Sequence, residues 1–145
     1  MLKTTTPQID EAKLQEFMGK LVGDAAAAAT APLVLLGDRL GLYRELADND
    51  PMTSAELAAA TGTHERYVRE WLSAQAAAGY ISYDQESGRF GIGPEQAMAL
   101  ADSDSPAFFV GAFETLLSTV LDRSKIEEAF RTGRGVGWHE HDQML

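Results

Sequence analysis

Apolar residues near the start of the chain recur at helical spacing. Between residues 10 and 24, Leu14, Phe17, Met18, Leu21, Val22 and Ala25 fall at i, i+3, i+4, i+7, i+8 and i+11. With Asp10 placed to cap, this pattern predicts an amphipathic helix. The alanine run 25–29 reads as a tightly packed core helix, with a low-complexity linker as the alternative, because alanine favours helix and lets a neighbour approach closely. Pro32 is expected to break or kink this stretch before the apolar run 33–36 resumes up to Leu40. A short helical turn around Leu42, Tyr43 and Leu46 should close at Asp48-Asn49-Asp50-Pro51.

The pattern then changes in the next 40 residues. Thr53 with Glu56 forms a capping box ahead of a short helix over 54–60. Thr61-Gly62 makes a turn, and Thr63 can cap a second helix over 64–78 that buries Tyr67, Val68, Trp71 and Leu72. Gly79 sits where a left-handed helix end belongs. Two β-rich pieces, 80–84 and 89–92, are joined by Gln85-Glu86-Ser87-Gly88 and read as a small hairpin. Helix, tight turn, helix and hairpin together make the winged-helix pattern.

Downstream, Pro94 opens a short helix through Leu100. Ser105-Pro106 should cap and start a strong helix carrying Phe108, Phe109, Ala112, Phe113, Leu116, Leu117, Val120 and Leu121. So wide a stripe faces more than one neighbour, which suggests a second chain or domain. Ser124 with Glu127 should cap a last helix ending near Arg131, followed by the glycine-rich segment 133–137. The fold class expected is therefore mainly α: a winged helix-turn-helix with a small β-hairpin and additional dimerisation helices. One domain is expected over 1–145, with the winged core at about 53–92, flanking helices at about 10–47 and 94–131, and a tail over 132–145.

Charge narrows the function. The 145 residues carry 12 Lys and Arg against 22 Asp and Glu, a net charge of −10, which opposes nucleic-acid and anionic-membrane binding. The surface that would read DNA is no exception, since the basic residues from 53 to 89 are Arg66, Arg69 and Arg89, outnumbered by Glu56, Glu65, Glu70, Asp84 and Glu86. A winged helix kept for packing is the better reading. No sequence run approaches the roughly 18 apolar residues that span a bilayer. No secretory signal is visible, and the chain has no cysteine, which fits a cytoplasmic setting and removes thiolate chemistry.

Chemistry is sparse. The loop Gly133-Arg134-Gly135-Val136-Gly137 offers the GxGxG form, but a nucleotide cradle needs a strand before it and a helix after it, and here a helix precedes. In Trp138-His139-Glu140-His141-Asp142, a His-x-His pair on an extended strand could chelate a metal; the alternative is a solvated tail or interface segment, and no metal site is expected. His64 is expected to be merely exposed. No spacing marks a nucleophile or an acid/base pair, so the chain by itself is not expected to be an enzyme.

Four stretches resemble a known family: LGDRLGLYREL (36–46), SAELAAATGTHERYVREWLSAQAAAGYI (54–81), DSDSP (102–106) and FRTGRGVGWHEH (130–141). They are similar to the N-terminal region of class I S-adenosylmethionine-dependent methyltransferases of a small-molecule type. The resemblance implies a winged-helix domain that forms an intertwined homodimer and closes over a substrate pocket, while a separate Rossmann-like domain, in cis or in trans, holds the methyl donor. That catalytic domain is expected to be absent from this chain, so no cofactor is expected here; S-adenosylmethionine belongs with the catalytic domain. The candidate substrate-binding residues are Phe109, Phe113, Trp138, His139 and His141. A winged-helix transcriptional regulator is one alternative, and a stand-alone dimeric module for an apolar small molecule is the other.

Overall fold

A computed structural model describes residues 9–141. Its elements run α1 (Glu11–Arg39), α2 (Leu42–Asp48), α3 (Ser54–Thr61), α4 (Glu65–Ala77), β1 (Ser82–Asp84), β2 (Arg89–Gly91), α5 (Pro94–Leu100), α6 (Val110–Leu121) and α7 (Arg123–Thr132). A 3-10 turn follows at Trp138–Glu140. The mainly helical winged helix-turn-helix expected from the sequence is present.

α1 is one uninterrupted helix of 29 residues, about 44 Å long at 1.5 Å per residue. Asp10 caps it, its carboxylate accepting from the Ala12 and Lys13 amides at 3.1 and 3.2 Å. The break expected at Pro32 does not occur. Proline there removes one bond, to the Ala28 carbonyl. The helix is held beyond it because Ala31, Val34, Leu35 and Gly37 are buried against the rest of the fold. The core expected from the N-terminal half is also corrected: every residue from 9 to 29 is exposed, the alanine run included, because no other element of the chain reaches it. By length and composition α1 could cross a membrane, with a mean hydropathy of 1.4 over its most apolar 18-residue window, where the sequence had suggested no such run.

The core lies where the C-terminal part of α1 meets α2, α3 and α4. Tyr43 from α2, Leu57 from α3, and Val68, Trp71 and Leu72 from α4 are its main contributors. α4 presents positions 68, 71, 72 and 75 inward, an i, i+3, i+4, i+7 face, so Gln75 takes an inward place and Tyr67, one step around the helix, is left exposed rather than buried as expected. Trp71 donates its indole N–H to the Leu33 carbonyl at 2.8 Å and meets Tyr43 edge-on at 5.0 Å. Tyr43 donates to Gln75 Oε1 at 2.7 Å, and burial pushes its phenol well above the usual range. Gly37 lets α1 approach, since a Cβ there would lie 2.5 Å from both Trp71 Cζ2 and Tyr43 Cε2.

The capping box forms as expected. Thr53 accepts from the Glu56 amide, and the Thr53 amide donates to Glu56 Oε2 at 2.8 Å. α4 is capped by His64, whose Nδ1 accepts from the Arg66 amide, rather than by Thr63. The hairpin pairs Ser82 with Gly91, Tyr83 with Phe90 and Asp84 with Arg89. Phe90 also bridges to Met52, with both backbone bonds at 2.8 Å, which ties the wing to the loop before α3.

α5 begins at Pro94 and ends at Leu100, as the sequence predicts. Two starts differ. Ser105-Pro106 lies in a turn, and the following helix begins at Val110 instead; Ser105 Oγ accepts from the Ala107 amide, a local turn that competes with a helix start. α7 begins at Arg123, following directly on α6, so Ser124 lies inside it and caps nothing.

Candidate functional site

On the face a DNA-reading winged helix would use, two of the three cations, Arg69 and Arg89, are paired with carboxylates. Arg69 on α4 lies 3.7 Å from Glu65. Arg89, the one cation between residues 80 and 92, donates to the Pro51 carbonyl at 2.7 Å and to both Glu56 oxygens at 2.8 and 3.0 Å. The Glu56 carboxyl is lowered to about 2, first by the Thr53 amide and then by the Arg89 guanidinium and the Thr53 hydroxyl. At the hairpin tip Asp84 is also lowered, by the Ser87 hydroxyl and then the Glu86 amide, so the tip stays anionic. An anionic tip repels phosphate, and the internal use of Arg89 leaves no cation on the wing to compensate.

The sequence-nominated site residues fall into two groups. Phe109 and Phe113 meet edge-on, centroids 6.1 Å apart, beside an open pocket of about 570 Å³ shared with Tyr80, Leu100, Glu95 and Gln96. Trp138 and His141 lie at the other end of α6, roughly 18 Å away along its axis. There His141 Nδ1 sits 2.8 Å from Oδ2 of the buried Asp122, and Lys125 Nζ reaches the other Asp122 oxygen at 2.6 Å. Trp138 packs edge-on to His141 at 6.0 Å while remaining largely exposed. His139 is exposed and joins neither group. The fold thus brings Phe109 to Phe113 and Trp138 to His141, and keeps the pairs apart. Asp122 and Lys125, which anchor the tail, were missed by sequence reasoning because an acid and a lysine three residues apart read as an ordinary solvated helix pair.

The His-x-His segment is a 3-10 turn rather than a strand, so the two imidazoles are not presented on one face. Asp142 lies outside the described residues. Among the described residues no three His, Asp or Glu side chains gather to hold a metal. The glycine loop follows α7, with Gly133 closing that helix at φ 72°, so no strand aims it at a phosphate.

The most extensive feature is uncovered apolar surface. Leu14, Phe17, Met18, Leu21 and Val22 stand out on α1, Leu116, Val120 and Leu121 on α6, and Phe130 on α7. Between the C-terminal part of α1 and α4 runs a groove of about 400 Å³ whose exposed surface is apolar, lined by Leu33, Leu36, Leu40, Tyr67, Trp71 and Ala74.

Comparison with known proteins agrees with this architecture. None of the curated proteins matches the chain. Among solved structures, CalO1, a methyltransferase in calicheamicin biosynthesis solved with SAH bound, is similar at TM-score 0.63 and 26% identity, over 89% of this chain and 37% of its own. RosA, the N,N-8-amino-8-demethyl-D-riboflavin dimethyltransferase from Streptomyces davawensis, is similar at TM-score 0.58 and 26% identity, over 88% of this chain and 35% of its own. PigF, solved with SAH, shares the fold at TM-score 0.59 and 19% identity, over 92% of this chain. The chain spans less than two-fifths of the length of these proteins and corresponds to their N-terminal region. The family described as the Rv2258c-like winged HTH domain matches residues 28–102, just over half of the chain. With the helix-turn-helix, the wing and this match in agreement, the chain belongs to the Rv2258c-like winged HTH domain family.

Proposed function

We propose that this chain is the dimerisation and substrate-lid domain of an S-adenosylmethionine-dependent methyltransferase, whose chemistry resides in a catalytic domain joined in cis or supplied in trans. The observation that carries the reading is the uncovered apolar face of α1 and α6. Contiguous exposed apolar patches beyond a few hundred Å² are unusual in monomers. In the lid role, Phe109 and Phe113 would supply an aromatic wall against an apolar methyl acceptor, and the segment with Trp138, His139 and His141 would close the opposite end. The methyl donor does not fit the residues described here, because the glycine loop follows a helix; donor binding falls to the catalytic domain. A cytoplasmic setting goes with this reading.

Sedimentation equilibrium at micromolar concentration should give a homodimer, and a monomer would overturn the reading. Calorimetric titration of this chain with S-adenosylmethionine should give no binding heat. A dissociation constant tighter than about 100 μM, about −5.5 kcal/mol, would show that the glycine loop does hold the donor.

A further inference from the structure

We propose that the pocket at Phe109 and Phe113 admits a cationic aromatic ligand, an aryl-alkyl amine by class, and that Glu95 is the residue that selects it. The inference deepens the lid reading and rests on it, since it names the kind of acceptor that the lid covers.

The walls call for a flat apolar body. Phe109 and Phe113 meet edge-on with centroids 6.1 Å apart, and Ala99, Leu100 and Ala107 complete the apolar lining of a pocket of about 570 Å³. Phe109 is 59% exposed, so much of its ring is open to a partner. The face of a phenyl ring carries partial negative charge and attracts a cation.

The polar groups of the pocket add charge of the same sign. Glu95, Gln96 and Tyr80 share the lining, and no lysine or arginine does. Among the described residues the Glu95 carboxylate enters no ion pair or hydrogen bond, and the Tyr80 hydroxyl makes no hydrogen bond. An acid in the first turn of a helix is ordinary and selects nothing by itself. The surroundings make the difference here. From Phe90 to Asp122 the chain carries five carboxylates, at Glu95, Asp102, Asp104, Glu114 and Asp122, and no lysine, arginine or histidine. Two of the five are compensated from elsewhere: Glu114 lies 3.5 Å from Arg39, and Asp122 lies 2.6 Å from Lys125. Glu95, Asp102 and Asp104 have no cationic partner among the described residues.

The stretch that builds most of the pocket therefore sets unbalanced negative charge beside aromatic rings. That combination repels a carboxylate or a phosphate and attracts an ammonium group. A protonated nitrogen has no lone pair to receive a methyl group. The ammonium is thus a handle for recognition, and the methylated atom lies elsewhere on the ligand.

The test is an NMR titration of this chain at neutral pH with phenethylamine, phenethyl alcohol and phenylacetate, probes alike in their ring and different in charge. Methyl signals of Ala99, Leu100 and Ala107 report on the pocket. Phenethylamine should bind about tenfold more tightly than the alcohol, the size expected of an open ion pair together with a cation–π contact. Phenylacetate should bind weakest. Glu95→Gln should cut the advantage of the amine about threefold or more, and Glu95→Lys should reverse the order of amine and phenylacetate. Glu16→Gln, on the exposed half of α1, removes the same charge and should change nothing. An alcohol or phenylacetate that binds wild type as tightly as the amine overturns the amine class and leaves the lid reading in place. A Glu95→Gln chain that keeps the whole preference, or an equal loss in Glu16→Gln, overturns the role of Glu95. If no probe moves these signals, the pocket is no ligand surface, and the lid reading falls together with the class.

Discussion

The substitution Gly37→Ala isolates one contact on which the whole core depends. In an exposed helix interior this change stabilises by about 1 kcal/mol, because alanine restricts the unfolded chain and favours helix. At position 37 the added methyl would sit 2.5 Å from a Trp71 ring carbon, 2.5 Å from Tyr43 Cε2 and 2.9 Å from Tyr43 Cδ2. Neither ring can yield easily. Trp71 is tied to the Leu33 carbonyl, and Tyr43 is tied to Gln75. Overpacking by one carbon in a rigid core costs about 1–3 kcal/mol, and two trapped rings place this case near the upper end. The net expectation is a loss of about 1–2 kcal/mol, or roughly 3–7 °C in Tm for a chain of this size. Gly23→Ala is the matched control on the same helix, since nothing lies within 4 Å of its added methyl, and it should gain about 0.5–1 kcal/mol. Thermal melts followed by circular dichroism, at one fixed protein concentration, compare the two with wild type. A Gly37→Ala chain as stable as Gly23→Ala would refute the close approach of α1 to Trp71 and Tyr43.

Three further outcomes follow from the same contacts. Trp71→Ala should cost about 3–5 kcal/mol in urea unfolding, for it empties the core and removes the bond to Leu33; a loss under 1 kcal/mol would show that Trp71 is no anchor. Glu56 has its carboxyl lowered from 4.5 to about 2 in the folded chain, so its contribution is complete above pH 4.5 and fades as pH falls toward 2. The urea midpoint of wild type should therefore drop more between pH 6 and pH 3 than that of Glu56→Gln, and equal drops would count against the node. In mobility shifts at physiological salt, genomic DNA fragments should not be retarded; a sequence-selective shift abolished by Arg66→Ala and Arg69→Ala would favour a regulator.

The parts of the fold governed by local rules were legible in the sequence. The Thr53–Glu56 box, the hairpin and the proline start of α5 each depend on a few neighbouring residues, and each appears where its residues place it. Errors arose where distant packing decides. Pro32 is carried inside α1 because Val34 and Leu35 are anchored by other helices, which no local window shows. Tyr67 and Gln75 exchanged places because periodicity defines an apolar face to within one residue's rotation, and the tertiary neighbours choose the rotation. The candidate site was less legible. Phe109 and Phe113 were nominated together and do meet, whereas the anchor of the tail, Asp122 with Lys125 and His141, is assembled from both ends of α7 and has no linear signature.

Pro32 also has a mechanical meaning. α1 is a rod that joins the exposed arm to the Trp71–Tyr43 core, and its ladder of backbone bonds lacks one rung, at the Ala28 carbonyl opposite Pro32. Stiffness is lowest there, so a transverse load on the arm is relieved by bending at that level, and the lever below it, from Leu33 to Arg39, stays aligned with the core. The proline separates the outer length of the rod from the part that must hold still.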